Sequence, residues 1–239
     1  MTKHITTAKK TKIDSPLTII VPAATPGNRM KGKGAISLFE LNHGTTLIEH
    51  QLRILTKVYP HADIIYCIGF DAVHIIKKVR KNFPIRFVIN ENYSITNIMH
   101  SIALAYMATL PSNLLIIMGD LYFNTYAIND MVDVSKMLVD TNSTIGKYEV
   151  GLVVDNHEHI TNMSYGVDQK WGQVVHLTGN ELALFAAMME NYINHSYKFI
   201  HECLNTIIKR GGVFIAYQQS KAKIINIDTQ ESLTKAKQL

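Results

Sequence analysis

The sequence has 239 residues, of which 47% are apolar and 18% are charged. This balance is typical of a globular chain and excludes a largely disordered one. Its longest apolar runs, such as LTIIV and NLLIIM, are far shorter than the roughly 20 residues that a membrane-spanning helix needs. We therefore expect no membrane partner.

Lysine and arginine together number 24 against 19 acidic residues, which gives a formal net charge of +5. A modest excess of this kind favours a site for phosphorylated metabolites. The sequence has no basic stripe interleaved with aromatic residues and no zinc-finger spacing, so nucleic acid is a disfavoured partner.

Residues 1–14 are predicted to be a basic, polar N-terminal tail, and residues 15–239 a single domain. The tail lacks the apolar core of a secretory signal. It is a candidate contact for a homo-oligomer or another assembly. Cys67 and Cys203 lie in apolar segments and are predicted to be buried thiols, which favours a reducing, cytoplasmic setting.

The first half of the chain alternates predicted strands and helices. The strands are expected at 17–21, 63–70, 85–90 and 113–120. A capping box formed by Thr46 and Glu49 predicts the start of the first helix, and further helices are expected over 71–80 and 97–110. Because the strands are continuous apolar runs, the pattern predicts a parallel sheet covered on both faces by helices.

The second half of the chain is more mixed. Strands are expected at 149–155, 172–178, 213–218 and 223–228. A helix over 197–210 is expected to stop at Gly211, and a short polar helix follows Asp228. Segment 181–192 is compatible with either helix or strand. The histidines of DNHEHITN are predicted to lie in a solvated turn, because no third metal ligand is evident.

In open α/β sheets, ligands bind beyond the carboxyl ends of the strands. The loop after the first predicted strand offers Ala23, Ala24, Gly27 and Arg29 at that edge. Small residues allow a ligand to approach the backbone, and backbone N–H groups together with a guanidinium bind phosphate oxygens. Taken alone, such a loop is more often a solvated basic surface segment.

Two aspartates end predicted strands and are candidates for a shared metal ion. Asp120 follows the fourth strand, and Asp228 ends the last one. Magnesium takes one or two carboxylates and completes its coordination with phosphates. Asn226 lies on the same strand face as Asp228 and offers a neutral oxygen. The alternative role for Asp228 is the N-cap of the last helix.

Five segments recur in a characteristic order and spacing along most of the chain. They are AATPGNRM (23–30), GTTLIEHQL (44–52), NENYSITNIMHSIALA (90–105), IIMGD (116–120) and INIDTQESLTKA (225–236). Together they resemble the sugar-phosphate nucleotidyltransferase family, and especially its phosphocholine cytidylyltransferase-like branch. The resemblance is weakest from about residue 125 to residue 220.

The resemblance implies a three-layer, Rossmann-like (GT-A-like) α/β fold with a mostly parallel mixed sheet. It also implies transfer of a nucleotidyl group from a nucleoside triphosphate, with CTP favoured, to a phosphorylated choline- or sugar-type acceptor, with release of pyrophosphate. The residues that the resemblance assigns are Asp120 and Asp228 for Mg²⁺, Arg29, Lys31 and Lys33 as cations for the phosphates, and Ala23, Ala24, Gly27, Asn97 and Ser101 for the nucleotide.

The chain departs from the family pattern at several positions of the site. Thr25 stands in place of a glycine, and Pro26 removes a backbone donor. Ile36 occupies the position of a lysine that contacts the reacting phosphate, and Asn226 replaces an acid. Losing a preorganised cation near developing charge lowers the rate by about 100-fold or more.

These departures leave more than one hypothesis open. The first is an active transferase in which Lys31 or Lys33 replaces the missing lysine. The second is a pseudoenzyme that keeps the fold as a binding or assembly module. A nucleotide-binding regulator and a glycosyltransferase of related fold are further alternatives.

Overall fold

The computed structural model describes residues 16–26 and 32–239. Within these ranges the chain forms eleven strands and six α-helices. The strands are β1 (Leu17–Ala23), β2 (Asp63–Ile68), β3 (Arg86–Ile89), β4 (Asn113–Ile117), β5 (Leu121–Phe123), β6 (Lys136–Val139), β7 (Val150–Val154), β8 (Ile160–Tyr165), β9 (Gln169–Leu177), β10 (Ile215–Gln218) and β11 (Ile224–Asn226). The α-helices are α1 (Leu47–Val58), α2 (Ala72–Val79), α3 (Ile98–Met107), α4 (Gly179–Met189), α5 (Ile200–Lys209) and α6 (Gln230–Lys237).

The central sheet is mixed and mostly parallel, as expected. Its main strand order is β10-β6-β9-β4-β1-β2-β3. Strands β4, β1, β2 and β3 run parallel to one another, and β10 runs parallel to β6. Strand β9 is antiparallel to both β4 and β6, and β7 and β8 extend the sheet as antiparallel strands.

Helices cover both faces of the sheet and complete the three layers. Right-handed crossovers place α1 and α2 on one face, where Lys78 of α2 lies 3.4 Å from the carboxylate of Glu49 on α1. Helix α3 crosses back over β1 and β2 on the other face, beside α4, which in turn contacts α5. The predicted three-layer α/β fold is therefore confirmed.

Helix α1 begins where the sequence predicts. The carboxylate of Glu49 accepts hydrogen bonds from the backbone N–H of Thr46 at 2.9 Å and from its hydroxyl at 2.8 Å. The apolar side of the helix, including Leu52 and Leu55, is fully buried against the sheet. The capping box at its start and the burial of its apolar face thus both stabilise α1.

The structure also adds to or differs from the sequence-based expectations in several places. Strands β5 and β6 were not predicted because each is a short buried segment without alternation. Strand β8 was not predicted because several of its residues are polar and exposed. Most of the ambiguous segment 181–192 is helical, because α4 extends to Met189, and α3 ends at Met107 rather than near Pro111.

The turn between β7 and β8 holds the two histidines that resembled metal ligands. The carboxylate of Asp155 accepts hydrogen bonds from the backbone N–H groups of His157 and His159. This arrangement orders an exposed hairpin turn, as predicted. Within the described ranges, no helix is long and apolar enough to cross a membrane.

A small second cluster of apolar side chains lies beside the main core. It joins the segment after the first loop to Tyr122 of β5 and to the C-terminal residues around α6. Its buried members are Ile36, Phe39, Leu41, Leu47, Tyr122, Ile227, Leu233 and Ala236. This second cluster fixes α6 and the end of β11 next to the carboxyl edge of the central sheet.

Candidate functional site

Three strand ends meet closely at the carboxyl edge of the sheet. Gly69 follows β2 and Gly119 lies just beyond β4, on either side of the residues that end β1. A Cβ on Gly119 would lie 2.5 Å from Ala23 Cβ, and one on Gly69 would lie 2.9 Å from Ala24 O. This packing places the predicted nucleotide-binding residue Ala23 beside the segment that carries Asp120, and Ala24 beside Gly69.

Asp120 is carried by a tight turn, Met118–Leu121. The backbone N–H of Leu121 donates to Met118 O at 3.2 Å and closes the turn. The N–H of Gly119 donates to Pro22 O at 3.1 Å, which ties the turn to β1. The position of the Asp120 backbone is therefore determined by contacts on both sides.

An antiparallel ribbon of β5 and β11 brings Asp228 to Asp120. Asn226 pairs with Leu121, and the N–H of Ile227 donates to the backbone oxygen of Asp120 at 2.9 Å. Burial of its carboxyl and the negative charge of Asp228 raise the pKa of Asp120 to about 6. The structure thus brings together two acids that are more than a hundred residues apart in sequence.

The residues around the two aspartates fit a magnesium ion. Asn226 Oδ1 is buried and has no hydrogen-bond partner among the described residues. Such an oxygen is destabilising unless a ligand binds it. Carboxylate and amide oxygens are ligands that Mg²⁺ accepts, with phosphates and water completing the shell. No set of three or more His, Cys, Asp or Glu side chains in the described ranges is placed to hold a metal.

The alternative capping role of Asp228 is corrected by the structure. The N-cap of α6 is Thr229, whose hydroxyl oxygen accepts a hydrogen bond from the N–H of Ser232 at 3.1 Å. The Ser232 hydroxyl in turn accepts from the N–H of Asp228 at 3.1 Å. Since the neighbouring threonine caps the helix, the presence of Asp228 at the ribbon end is not explained by capping.

Ile36, which stands where the family pattern has a lysine, is buried among apolar side chains. Ile36 is only 6% exposed and belongs to the second cluster, together with Ile227 and Leu233. It lies in a short 3₁₀ turn, Ile36–Leu38. Ile36 therefore packs in the second cluster and supplies no charge to the site.

The predicted cations of the first loop are only partly described. Gly27, Arg29 and Lys31 lie outside the described residues, and their roles stay predictions. Lys33 is exposed, and its Nζ donates to Gln230 Oε1 at 2.5 Å. Since Gln230 is the first residue of α6, this contact places the Lys33 ammonium at the helix start that follows Asp228.

Asn97 and Ser101 both make contacts within the protein. The side-chain oxygen of Asn97 caps α3 by accepting from the N–H of Ile98 at 2.8 Å. Ser101 is buried, and its hydroxyl accepts a hydrogen bond from the side chain of Asn90 at 3.0 Å. These contacts stabilise the loop after β3, and a nucleotide contact for either residue stays a prediction.

Two adjoining cavities lie on the Asp228 side of the site, and only the smaller one is lined by Asp228 itself. Sequence reasoning did not identify their other charged residues. The nearer cavity, of about 250 Å³, is lined by Asp228, Asn226, Asp140 and Lys170 among others. The second, of about 370 Å³, shares Asp140 and Lys170 with it. Lys170 Nζ lies 2.8 Å from Glu149 Oε1 and 3.7 Å from Asp140 Oδ2. These residues come from the region where the family resemblance is weakest, so no motif indicated them.

Comparison with known proteins identifies the fold. No protein-family model and no curated protein matches the sequence. Among solved structures, the chain is similar to the CTP:phosphocholine cytidylyltransferase from Streptococcus pneumoniae, with 18% identity, a TM-score of 0.76, and coverage of 93% of this chain and 98% of that one.

Two further solved structures give the same result. The inositol-1-phosphate CTP transferase from T. maritima has 15% identity and a TM-score of 0.74, with 93% and 97% of the two chains covered. A putative glucose-1-phosphate thymidylyltransferase from Bacillus anthracis has 14% identity and a TM-score of 0.72, with 93% and 94% covered. The chain therefore has the nucleotidyltransferase fold that its sequence motifs imply.

Proposed function

We propose that the protein is a magnesium-dependent nucleotidyltransferase that uses a nucleoside triphosphate and a phosphorylated small-molecule acceptor. The observation that carries this proposal is the meeting of Asp120 and Asp228 at the carboxyl edge of the sheet, beside the unpaired oxygen of Asn226. Such a set binds a cation that also binds phosphate oxygens.

In the proposed reaction, an oxygen of the acceptor phosphate forms a bond to the α-phosphorus of the triphosphate. The bond from the α-phosphorus to the oxygen that bridges the α- and β-phosphates breaks, and pyrophosphate leaves. Asp120 and Asp228 would hold the Mg²⁺, which neutralises charge that develops on the phosphates. The backbone at Ala23 and Ala24 would lie under the nucleotide, and Arg29, Lys31 and Lys33 would bind its outer phosphates.

The favoured donor is CTP and the favoured acceptor is a phosphate monoester of a choline- or sugar-type alcohol. Two of the similar structures are named for CTP and for the acceptors phosphocholine and inositol-1-phosphate. The cavity beside Asp228 is lined mainly by polar and charged side chains and is a suitable place for the acceptor.

A specific observation favours a second candidate, a catalytically impaired binding or assembly module of the same fold. Ile36 is buried in the second cluster where the resemblance has a lysine. Without a cation at that point, phosphate charge is less well stabilised in the transition state than in an active transferase.

The two candidates are separated by turnover and binding measured on the full chain. Pyrophosphate release is assayed with each of four nucleoside triphosphates, Mg²⁺, and a panel of phosphocholine, inositol phosphate and sugar 1-phosphates. Asp120→Asn and Asp228→Asn are expected to lower turnover by about 100-fold or more. Glu231→Gln is the matched control, because this exposed carboxylate of α6 pairs only with its neighbour Lys235 in the described contacts.

Calorimetry with CTP, with and without Mg²⁺, completes the test. Magnesium-dependent CTP binding without turnover across the panel supports the binding module. The absence of both binding and turnover contradicts the transferase and the nucleotide-binding module, and leaves only an assembly role for the fold. Equal turnover in wild type and Asp120→Asn contradicts the assigned metal site.

A further inference from the structure

Gln51 of α1 is a fully buried polar residue whose side chain is directed at the turn that carries Asp120. Its Nε2 donates to Leu121 O at 2.8 Å, and it lies 3.3 Å from Gly119 O and 3.5 Å from Met118 O. A carboxamide has two N–H donors. One serves Leu121 O, and the other is shared between the two more distant carbonyls.

The orientation of this carboxamide is determined by its partners. Carbonyl oxygens only accept hydrogen bonds, so the NH₂ group of Gln51 must face the turn. Its Oε1 accepts a hydrogen bond from the hydroxyl of Tyr66 at 2.5 Å. Tyr66 belongs to β2 and is fully buried. A chain of two buried side chains thus runs from the central sheet to the turn.

Burying a carboxamide and a phenol hydroxyl in a core is unfavourable unless their hydrogen bonds are made. An apolar residue at position 51 would fill the same space but would leave the carbonyl of Leu121 without this donor. All three carbonyls that Gln51 approaches flank Asp120. The contact therefore restrains the one turn whose side chain the proposed reaction needs.

The neighbouring residue of α1 supports the same segment. The Nε2–H of His50 donates to Phe123 O at 2.8 Å, and its ring stacks on Tyr122 with centroids 4.4 Å apart. Helix α1 thus holds the turn through Gln51 and strand β5 through His50. Together these contacts restrain the chain on both sides of Asp120.

We propose that Gln51, oriented by Tyr66, is a positioning residue for Asp120. By fixing the Met118–Leu121 turn it keeps the Asp120 carboxylate opposite Asp228 in the arrangement that binds a divalent cation together with a nucleoside triphosphate. This inference rests on the proposed function, because it assigns the turn to that binding site. Partners one step removed from a metal ligand typically change metal affinity or activity by about 10- to 100-fold when they are replaced.

The test compares Gln51→Met with wild type. Methionine has a similar volume and no N–H donor, so the turn loses its support while the core stays filled. Asn205→Leu is the matched control: Asn205 of α5 also makes two backbone hydrogen bonds, both to Met163 of β8 and both 2.8 Å long. Tyr66→Phe removes the orienting hydroxyl alone and is expected to have a smaller effect.

Three readouts are measured on the full chain: CTP affinity by calorimetry over a range of Mg²⁺ concentrations, turnover at the same concentrations, and hydrogen exchange of peptides covering 117–123. For Gln51→Met we expect magnesium-dependent CTP affinity to fall by about 10-fold or more, partial recovery at high Mg²⁺, and faster exchange in this segment. Asn205→Leu should lower stability without changing the magnesium dependence.

The outcomes separate this inference from the proposed function. If wild type shows magnesium-dependent CTP binding and Gln51→Met binds equally well, the inference is overturned and the proposed function stands. If wild type binds neither Mg²⁺ nor CTP, both are overturned. If Asn205→Leu shifts the magnesium dependence as much as Gln51→Met, the effect is one of general stability and the positioning role is wrong.

Discussion

The two halves of the candidate site are built in different ways. On the metal side, the turn carrying Asp120 is tied to β1, to β11 and to Gln51 by hydrogen bonds. On the loop side, Ile36 packs into the second cluster and offers no charge. The protein thus brings the two aspartates together where the main core supports them, and it has an apolar contact where the family resemblance has a lysine.

Two tasks of such a site are therefore separable: bringing the two aspartates together, and supplying a further cation for the phosphates. Bringing Asp120 and Asp228 together depends on the sheet and on the β5–β11 ribbon, which stabilise the fold as well. Supplying a further cation depends on one loop side chain, which can become a packing residue without disturbing that ribbon. Substitutions on both sides of the candidate site test this separation.

The largest stability effect is expected for Ile36→Lys. Residue 36 is 6% exposed among apolar side chains, so an ammonium there loses hydration and gains no partner in the second cluster. We expect a loss of about 3 kcal/mol in the free energy of unfolding, measured by urea denaturation. Ile36→Met keeps the site apolar and should cost less than about 1.5 kcal/mol. Equal stability of the lysine variant and wild type would mean that the loop side is not a packed site.

On the metal side, Gly119→Ala tests the close approach of the turn to β1. The added Cβ would lie 2.5 Å from Ala23 Cβ and 2.6 Å from Pro22 O, so the two segments must separate. We expect a loss of about 2 kcal/mol in urea denaturation, together with weaker magnesium-dependent CTP binding.

Gly146→Ala is the matched control for this substitution, because its nearest neighbour is the far end of the Glu149 side chain, at 3.2 Å, rather than backbone. Its effect should stay within about 0.5 kcal/mol. A Gly119 variant as stable as this control would show that the turn is not held tightly against β1.

Thr229→Ala separates helix capping from metal binding. Removing the hydroxyl that caps α6 should lower the free energy of unfolding by about 1 kcal/mol and leave magnesium-dependent CTP binding intact.

Asp228→Asn should have the opposite profile, with little loss of stability and loss of metal-dependent binding. It should also lower the pKa of Asp120, because a nearby negative charge is removed. Carboxyl titration followed by NMR checks the last point. Loss of metal-dependent binding in Thr229→Ala would contradict this division of roles.

The smallest effect is expected for the pH dependence contributed by His50. Burial, and to a smaller extent the positive charge of Arg53, lowers the pKa of His50 below its ordinary value of 6.5, against the opposing effect of its hydrogen bond to Phe123. Because the unfolded chain then binds the proton more readily, stability should fall as the pH decreases below about 6.5.

Gln at position 50 can keep a donor for Phe123 O without titrating. His50→Gln should therefore have a shallower pH dependence in urea denaturation between pH 7 and 5. The difference cannot exceed about 1.4 kcal/mol per pH unit, the contribution of one proton. Parallel pH profiles for the two proteins would show that His50 does not titrate on unfolding in this range.

The amino-acid sequence was enough to predict the alternating architecture of the first half and to single out Asp120 and Asp228 as candidate metal ligands. Continuous apolar strands separated by amphipathic helices require a covered, mostly parallel sheet, because only burial on both faces accommodates them. Asp120 and Asp228 were recognisable because each follows an apolar strand within a motif. The sequence also shows which positions of α1 are polar, but the residues around Gln51 do not indicate its hydrogen-bond partners.

Which residues distant in sequence come into contact depends on the tertiary structure. Strand β5 is three residues long, and its pairing with β11, which sets Asp228 against Asp120, spans about a hundred residues of chain. The burial of Ile36 depends on the docking of α6, and the cavity lined by Asp140 and Lys170 depends on β6 and β9 becoming neighbours. Local propensity and periodicity describe the faces of single elements, whereas these contacts arise from the packing of one element on another.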